Sequence, residues 1–222
     1  MIDRKSMIQR VYIQTLKAES VSKVIIATDD ERILKHVEGF GGEAVMTSSY
    51  DTGTRRCAEA HRFIGGNYDA VINVPADVPF IQPAQIDAVA ASLQDGAEIA
   101  TLVKRIDNKR DYESPVVIKV IVSQQGEALY FSRAPVPYVR KGISKPLLDS
   151  KPFYKQTELF GFKSTALHAI SKLPVSGLEE TETIEQLRWL DAGYRIRVRE
   201  THFETLGIDS FEDLEKLKDV RV

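Results

Sequence analysis

Apolar residues return at helical spacing near the start of the chain. Met7, Ile8, Val11, Tyr12 and Leu16 share one face and predict an amphipathic helix. An unbroken apolar run at 24–28 predicts a short strand buried on both faces. Asp29 and Asp30 end it and can cap a helix carrying Ile33, Leu34 and Val37, which Gly41 and Gly42 close. Residues 44–46 read as a strand, 54–64 as a helix and 68–74 as a strand; Pro83 then opens a helix with Ile86, Val89 and Leu93 on one face. Up to about residue 95 strands and helices alternate, which predicts a parallel sheet with helices on both sides.

Beyond that point the pattern changes. Residues 98–104, 116–122 and 128–132 read as strands with no helices between them, and Gln124, Gln125 and Gly126 form the turn joining the last two. Residues 139–152, rich in Lys, Gly, Ser and Pro, read as a mobile loop, and 159–162 as a further strand. A helix is expected over 179–192 with Ile184, Leu187 and Leu190 inward and Gly193 at its end, then a strand at 196–200. Ser210 and Asp213 have the spacing of a capping box and open a last helix. The expectation is a single α/β domain over 1–222, with a nucleotide-binding half (about 1–95) and a half for acceptor binding and dimerisation (about 96–222).

Composition narrows the function classes. The chain has 222 residues, 43% of them hydrophobic, and a net charge of −2, enough for a sizeable core. A near-neutral chain is a poor candidate for a nucleic acid polymer, whose binding rests on phosphate neutralisation. No apolar run reaches membrane-span length and the N-terminus has no signal-peptide pattern. The single cysteine, Cys57, allows no internal disulfide and fits a reducing cytoplasm; its Ala-flanked helical position predicts packing.

Candidate chemistry gathers where strands hand over to helices. Asp77 follows a buried strand in a Pro-x-Asp-x-Pro turn, the end of an α/β sheet where ligands collect. It is either a turn former or a ligand for Mg²⁺, which takes carboxylate and phosphate oxygens. Asp209 stands just before the last helix, where Ser210 can do the capping, so Asp209 is either a cap or a second metal carboxylate. Gly53 and Thr54 open a helix whose free N–H groups favour an anion, with Arg56 close by; the plainer reading is a capped helix with surface arginines. Ser132 and Arg133 sit where a strand runs into Pro135 and Pro137, and the guanidinium there either holds an anion or caps the strand. Glu182 and Gln186, four apart, share a polar helix face that meets solvent or sugar hydroxyls. His36, His61, His168 and His202 show no ligand spacing, and Trp189 reads as packing.

Several strings add a resemblance. Residues 126–140 read GEALYFSRAPVPYVR, 24–33 VIIATDDERI, 45–48 VMTS, 52–56 TGTRR, 73–81 NVPADVPFI, 185–190 EQLRWL, and 207–209 GID with EDLE at 212–215. Together they are similar to the 3-deoxy-manno-octulosonate cytidylyltransferase (CMP-Kdo synthetase) family. The resemblance implies a Rossmann-like nucleotide-diphospho-sugar transferase fold with a mixed, mostly parallel sheet flanked by helices. It implies transfer of CMP from CTP to the sugar acid Kdo for lipopolysaccharide synthesis, with Mg²⁺ as cofactor, in a cytoplasmic homodimer. It puts Asp77 and Asp209 on the metal as catalytic residues. Gly53, Thr54 and Arg56 would face the nucleotide, and Arg133, Gln156, Glu182 and Gln186 the sugar.

The chain departs from the family at its expected site. The family's opening strand and phosphate loop would precede Met1, and without that central strand apolar surface and sheet edges should be exposed. The Q-G-D-E-P turn reads PADVP, the acidic residue of S-G-T-[DE]-R is Arg55, and the His and Tyr of H-x-G-x-Y-x-[YF] are Gln156 and Phe160. These changes imply low activity for the chain as written. They leave two alternatives to the named enzyme: an inactive relative serving as a binding or partner subunit, and a relative acting on a different sugar acid.

Overall fold

The computed structural model describes residues 5–205 and 207–208. Helix α1 (Met7–Thr15) is capped by Ser6, whose Oγ accepts from the Gln9 N–H. Strand β1 (Ile26–Thr28) leads into α2 (Glu31–Gly39), where Asp30 Oδ1 accepts from Arg32 N at 2.7 Å, and then β2 (Ala44–Met46). Helix α3 (Gly53–Ile64), strand β3 (Ala70–Asn73) and helix α4 (Pro83–Gln94) follow as the apolar spacing predicts. Strands β4 (Ile99–Arg105), β5 (Lys119–Val122) and β6 (Ala128–Ser132) come next, with α5 (Lys109–Glu113) between β4 and β5. The chain continues through α6 (Lys145–Ser150), β7 (Tyr154–Lys163), α7 (Ser164–Ile170), α8 (Gly177–Glu182), α9 (Gln186–Asp191) and β8 (Ile196–Glu200). The expected last helix lies outside the described residues.

The long strand β7 organises the main sheet. It pairs antiparallel with β3, β4 and β5; β5 pairs antiparallel with β6, and β4 pairs parallel with β8. Its side chains alternate between two cores. Leu159 meets Ile86, Val89, Leu93 and Leu102 on the α4 side. Phe160 and Phe162 meet Trp189, Leu167 and Leu187 on the other. Gly161 lies on the α4 side, where a Cβ would stand 2.4 Å from Val89 Cγ1 and 3.0 Å from Leu93 Cδ1. Gly161→Val is therefore expected to lower stability by about 1–3 kcal/mol through overpacking. Denaturant unfolding measures this, and an unchanged midpoint would show that α4 can move aside.

The structure corrects several expectations. Residues 139–152 contain helix α6, with Pro at its first turn and Leu148 buried against Ile106, Tyr112 and Phe153. The polar composition of that stretch masks one inward leucine. The expected helix over 179–192 breaks into α8 and α9 at Thr183, whose φ of 56° is left-handed. Glu182 and Gln186 therefore do not share one helix face. Helices α5 and α7 are too short to show in apolar periodicity.

Strands β1 and β2 form their own parallel pair, and among the described residues β1 pairs only with β2 and β3 only with β7. Helix α3 packs across β1, β2 and β3 and so spans the break.

Candidate active site

The N-terminus of α3 is fixed from three sides. A Cβ at Gly53 would stand 3.0 Å from Asn73 Nδ2, so only a residue as small as glycine lets α3 approach the end of β3 this closely. Thr54 is buried and its Oγ1 donates to Glu185 Oε2 at 2.9 Å. Arg56 Nη1 donates to Asp29 Oδ1 at 2.8 Å and to Thr47 Oγ1 at 3.2 Å. That bond holds the Asp29 carboxyl below the usual carboxylate range. Gly53, Arg56, Asn73, Pro75 and Ala76 all line one cavity of about 760 Å³. The three expected nucleotide residues thus sit at one positive helix end beside a cavity.

Asp77 lies in the turn between β3 and α4, four residues beyond Asn73. The late stretch 207–208 comes against it. Ile208 N donates to the Asp77 carbonyl at 2.9 Å, and a Cβ at Gly207 would be 3.4 Å from Asp77 Oδ2. Two segments remote in sequence therefore meet at Asp77. Asp209, the next residue, lies outside the described residues. Among the described residues no group of three or more His, Cys, Asp and Glu side chains converges.

The expected sugar residues fall into two pairs. Glu182 accepts from Ser132 Oγ at 2.6 Å and from Arg133 N at 2.9 Å, closing the end of β6. The Arg133 guanidinium donates to the carbonyls of Glu182, Pro115 and Thr183, so it braces the break between α8 and α9. Gln186 Nε2, on α9, donates to Gln156 Oε1, on β7. Through Thr54, Glu185 and Gln186 the nucleotide helix is linked to β7 by a short run of polar contacts.

Three residues that matter here were not singled out from the sequence. Glu185 joins the two sides, and burial raises its carboxyl above the usual range against the hydrogen bonds from Thr54 and Thr52. Asn73 stands at the strand end beside Gly53. Lys119 is fully buried and donates to the carbonyls of Ser114, Val117 and Arg133, each at 2.6 Å. Burial pushes its ammonium pKa down. Its signal was available, since a lone lysine interrupts the apolar run 116–122.

Residues read as packing do pack. Trp189 is buried, with its ring edge-to-face with Phe160 at 5.1 Å and Phe162 at 5.4 Å. Burial, with Glu185 adding to it, pushes the Cys57 thiol up to about 12, out of range for a nucleophile. His61, on α3, meets His168, on α7, at 3.0 Å, and its other nitrogen is 3.3 Å from Ser164 Oγ. Ser164 Oγ donates to the Tyr68 carbonyl, so His61 Nε2 donates to Ser164 and His61 Nδ1 accepts from His168. Burial lowers the His168 pKa, with His61, Arg62 and Lys172 adding to the effect. The unfolded chain then takes up this proton at higher pH than the folded one, so stability falls as pH drops through the ordinary histidine value. The Tm is expected to fall between about pH 7.5 and about pH 5.5, with His168→Gln removing much of that slope. A full slope in the variant would place its origin elsewhere.

Comparison with known proteins adds to this geometry. The chain is 44% identical to a 3-deoxy-manno-octulosonate cytidylyltransferase of Parabacteroides distasonis, over 96% of this chain and 86% of that protein. It is 42% identical to one of Cytophaga hutchinsonii with the same coverage. A solved CMP:2-keto-3-deoxy-manno-octonic acid synthetase complexed with CTP superimposes with a TM-score of 0.88 at 34% identity, covering 96% of this chain and 86% of that one. The profile of the cytidylyltransferase family matches residues 2–219. With an α/β fold that sets the N-terminus of α3 beside a cavity, the chain belongs to the cytidylyltransferase family.

Proposed function

We infer that this protein transfers CMP from CTP to 3-deoxy-manno-octulosonate, releasing pyrophosphate. The observation that carries the reading is the TM-score of 0.88 to the CTP-complexed synthetase. The anomeric hydroxyl oxygen of the sugar acid bonds to the α-phosphorus of CTP as the bond to the β-phosphate oxygen breaks. The hydroxyl proton is lost and pyrophosphate leaves. Gly53 and Thr54 turn their helix N–H groups to the phosphates, with Arg56 adding positive charge. Gln156, Glu182 and Gln186 hydrogen-bond the sugar, and Arg133 fixes the backbone that carries Glu182. Such a reaction is helped chiefly by alignment and charge neutralisation.

Mg²⁺ fits the donor set at the end of β3. Asp77 supplies hard carboxylate oxygens, and the 207–208 stretch packed on it brings in the peptide that leads to Asp209. Asp77 and Asp209 would hold the ion, which would neutralise phosphate charge and polarise the α-phosphoryl group. The half before about residue 95 serves the nucleotide and the remainder the acceptor. The product serves lipopolysaccharide synthesis in the cytoplasm; no helix among the described residues is long and apolar enough to cross a membrane. The assembly proposed is a homodimer.

The test is pyrophosphate release. Release is expected to need CTP and Kdo together and to drop strongly when CTP is replaced by ATP, GTP or UTP. Release without a sugar acid, or none at all, would count against the reading. The Gln156–Gln186 amide pair is the observation that favours another acceptor. Greater release with a different 2-keto sugar acid than with Kdo would establish that alternative.

A further inference from the structure

Lys119 is fully buried, and no step of the proposed reaction uses it. Its ammonium donates to the carbonyls of Ser114, Val117 and Arg133, each at 2.6 Å. Three acceptors around one nitrogen need three N–H bonds, so this geometry requires the charged form. A neutral amine would turn its lone pair on one of the carbonyls. A buried position is ordinarily filled by an apolar side chain, and a charge there is costly. We propose, on the reading that Glu182 meets the sugar, that Lys119 is a positioning residue for the sugar acid: it fixes the peptide between Arg133 and Ala134, and through Ser132 that peptide sets the orientation of the Glu182 carboxylate.

The path can be followed bond by bond. Lys119 lies opposite Ser132 in the register of β5 and β6, so both side chains leave the sheet on one face. The 133–134 peptide is held at both ends. Its C=O accepts from Lys119, and its N–H donates to Ser132 Oγ at 3.0 Å. A charged donor polarises that peptide, which makes its N–H the better donor. A serine hydroxyl carries one proton. With Ala134 N–H bonded to its oxygen, Ser132 gives that proton to Glu182 Oε1 at 2.6 Å. Glu182 Oε2 accepts from Arg133 N at 2.9 Å. Both carboxylate oxygens are thus placed by residues 132–134, and those residues are placed by Lys119.

The remaining bonds anchor Lys119 itself. Ser114 and Val117 belong to the link between α5 and β5, and Pro115 in the same link accepts from the Arg133 guanidinium. The link therefore holds residue 133 twice, through Lys119 on its carbonyl and through Pro115 on its side chain. None of these bonds reaches α3, which carries the residues assigned to the nucleotide.

The test is the KM for Kdo in pyrophosphate release. It is measured for Lys119→Met, Ser132→Ala and the double variant, at a temperature where circular dichroism shows each one folded. Each single variant is expected to raise the KM for Kdo at least tenfold, with the KM for CTP changed less than twofold and kcat less than threefold. A merely structural loss would lower the active fraction, and so kcat, and leave the KM where it was. The double variant should be no worse than Lys119→Met alone, because both residues act along one path. Multiplied effects in the double variant, or an unchanged KM for Kdo in either single variant, overturn the proposal. If Lys119→Met does not fold, the parent chain with isotope-labelled lysine takes its place. The Lys119 ammonium resonance is expected to shift on addition of Kdo in the parent and to stay in Ser132→Ala; the same shift in both, or none, overturns the proposal. Glu182→Gln separates this proposal from the reading beneath it. A raised KM for Kdo in that variant, with none in Lys119→Met or Ser132→Ala, defeats the positioning role alone. An unchanged KM in all three removes Glu182 from the sugar site and the positioning role with it.

Discussion

Asp77→Ala is expected to lower kcat/KM for CMP transfer about a hundred- to a thousandfold. The size follows from the role proposed for Mg²⁺, several kcal/mol of charge stabilisation during phosphoryl transfer, and from Asp77 supplying one of two carboxylates. The loss should fall mainly on kcat, and Kdo saturation should change little, because the residues proposed to contact the sugar, Gln156, Glu182 and Gln186, lie on other elements. Asp77 sits in a turn, and its backbone bond from Ile208 survives the substitution, so the Tm should hold. A variant that keeps at least a third of the activity would remove Asp77 from the metal. One that loses activity together with its fold would make it a turn former.

The largest effect on stability is expected at Arg188. Its side chain is 3% exposed and donates twice to Glu179, at 2.5 and 2.6 Å, and once to the Leu173 carbonyl at 3.1 Å. Hydrogen bonding to Glu179 raises the Arg188 pKa, in keeping with a charge held in place by its partner. Arg188→Ala leaves the Glu179 carboxylate buried without its cation, a loss of about 3–5 kcal/mol. For a chain of this size that is a fall in Tm on the order of 10 °C. The double variant Glu179→Gln with Arg188→Met should recover much of it, since no lone charge remains. Because this pair ties α8 to α9, activity should fall with the single variant even below its unfolding range. A Tm within 2 °C of the parent, a bound set at about 1 kcal/mol, would show that water reaches the pair.

Much of the first half of the fold was legible because its elements are long relative to their period. Helix α3 begins one residue from its expected start, and α4 begins at Pro83 as the sequence indicates. The second half was less so. Strand β7 reads as four residues because Lys155, Gln156 and Thr157 interrupt the apolar pattern, yet one ten-residue strand pairs at both ends, through residues 154–156 and 160–163. Neighbouring strands decide that, and a local pattern cannot show it. The break at Thr183 was hidden for a related reason: the apolar spacing of Ile184, Leu187 and Leu190 continues through it. Only the pull of Glu182 toward Ser132 and Arg133 reveals the turn. At the site, sequence position indicated the helix start at Gly53 and the turn that holds Asp77. It could not find Glu185, whose use depends on Thr54, 131 residues away.

The measurement that tests the central claim most directly is the fate of the α-phosphorus of CTP. With CTP labelled there, Kdo and Mg²⁺, the label should appear in a CMP–Kdo phosphodiester, with one pyrophosphate formed per label transferred. Label recovered as free CMP, or remaining in CTP while Kdo is unchanged, would contradict the assignment.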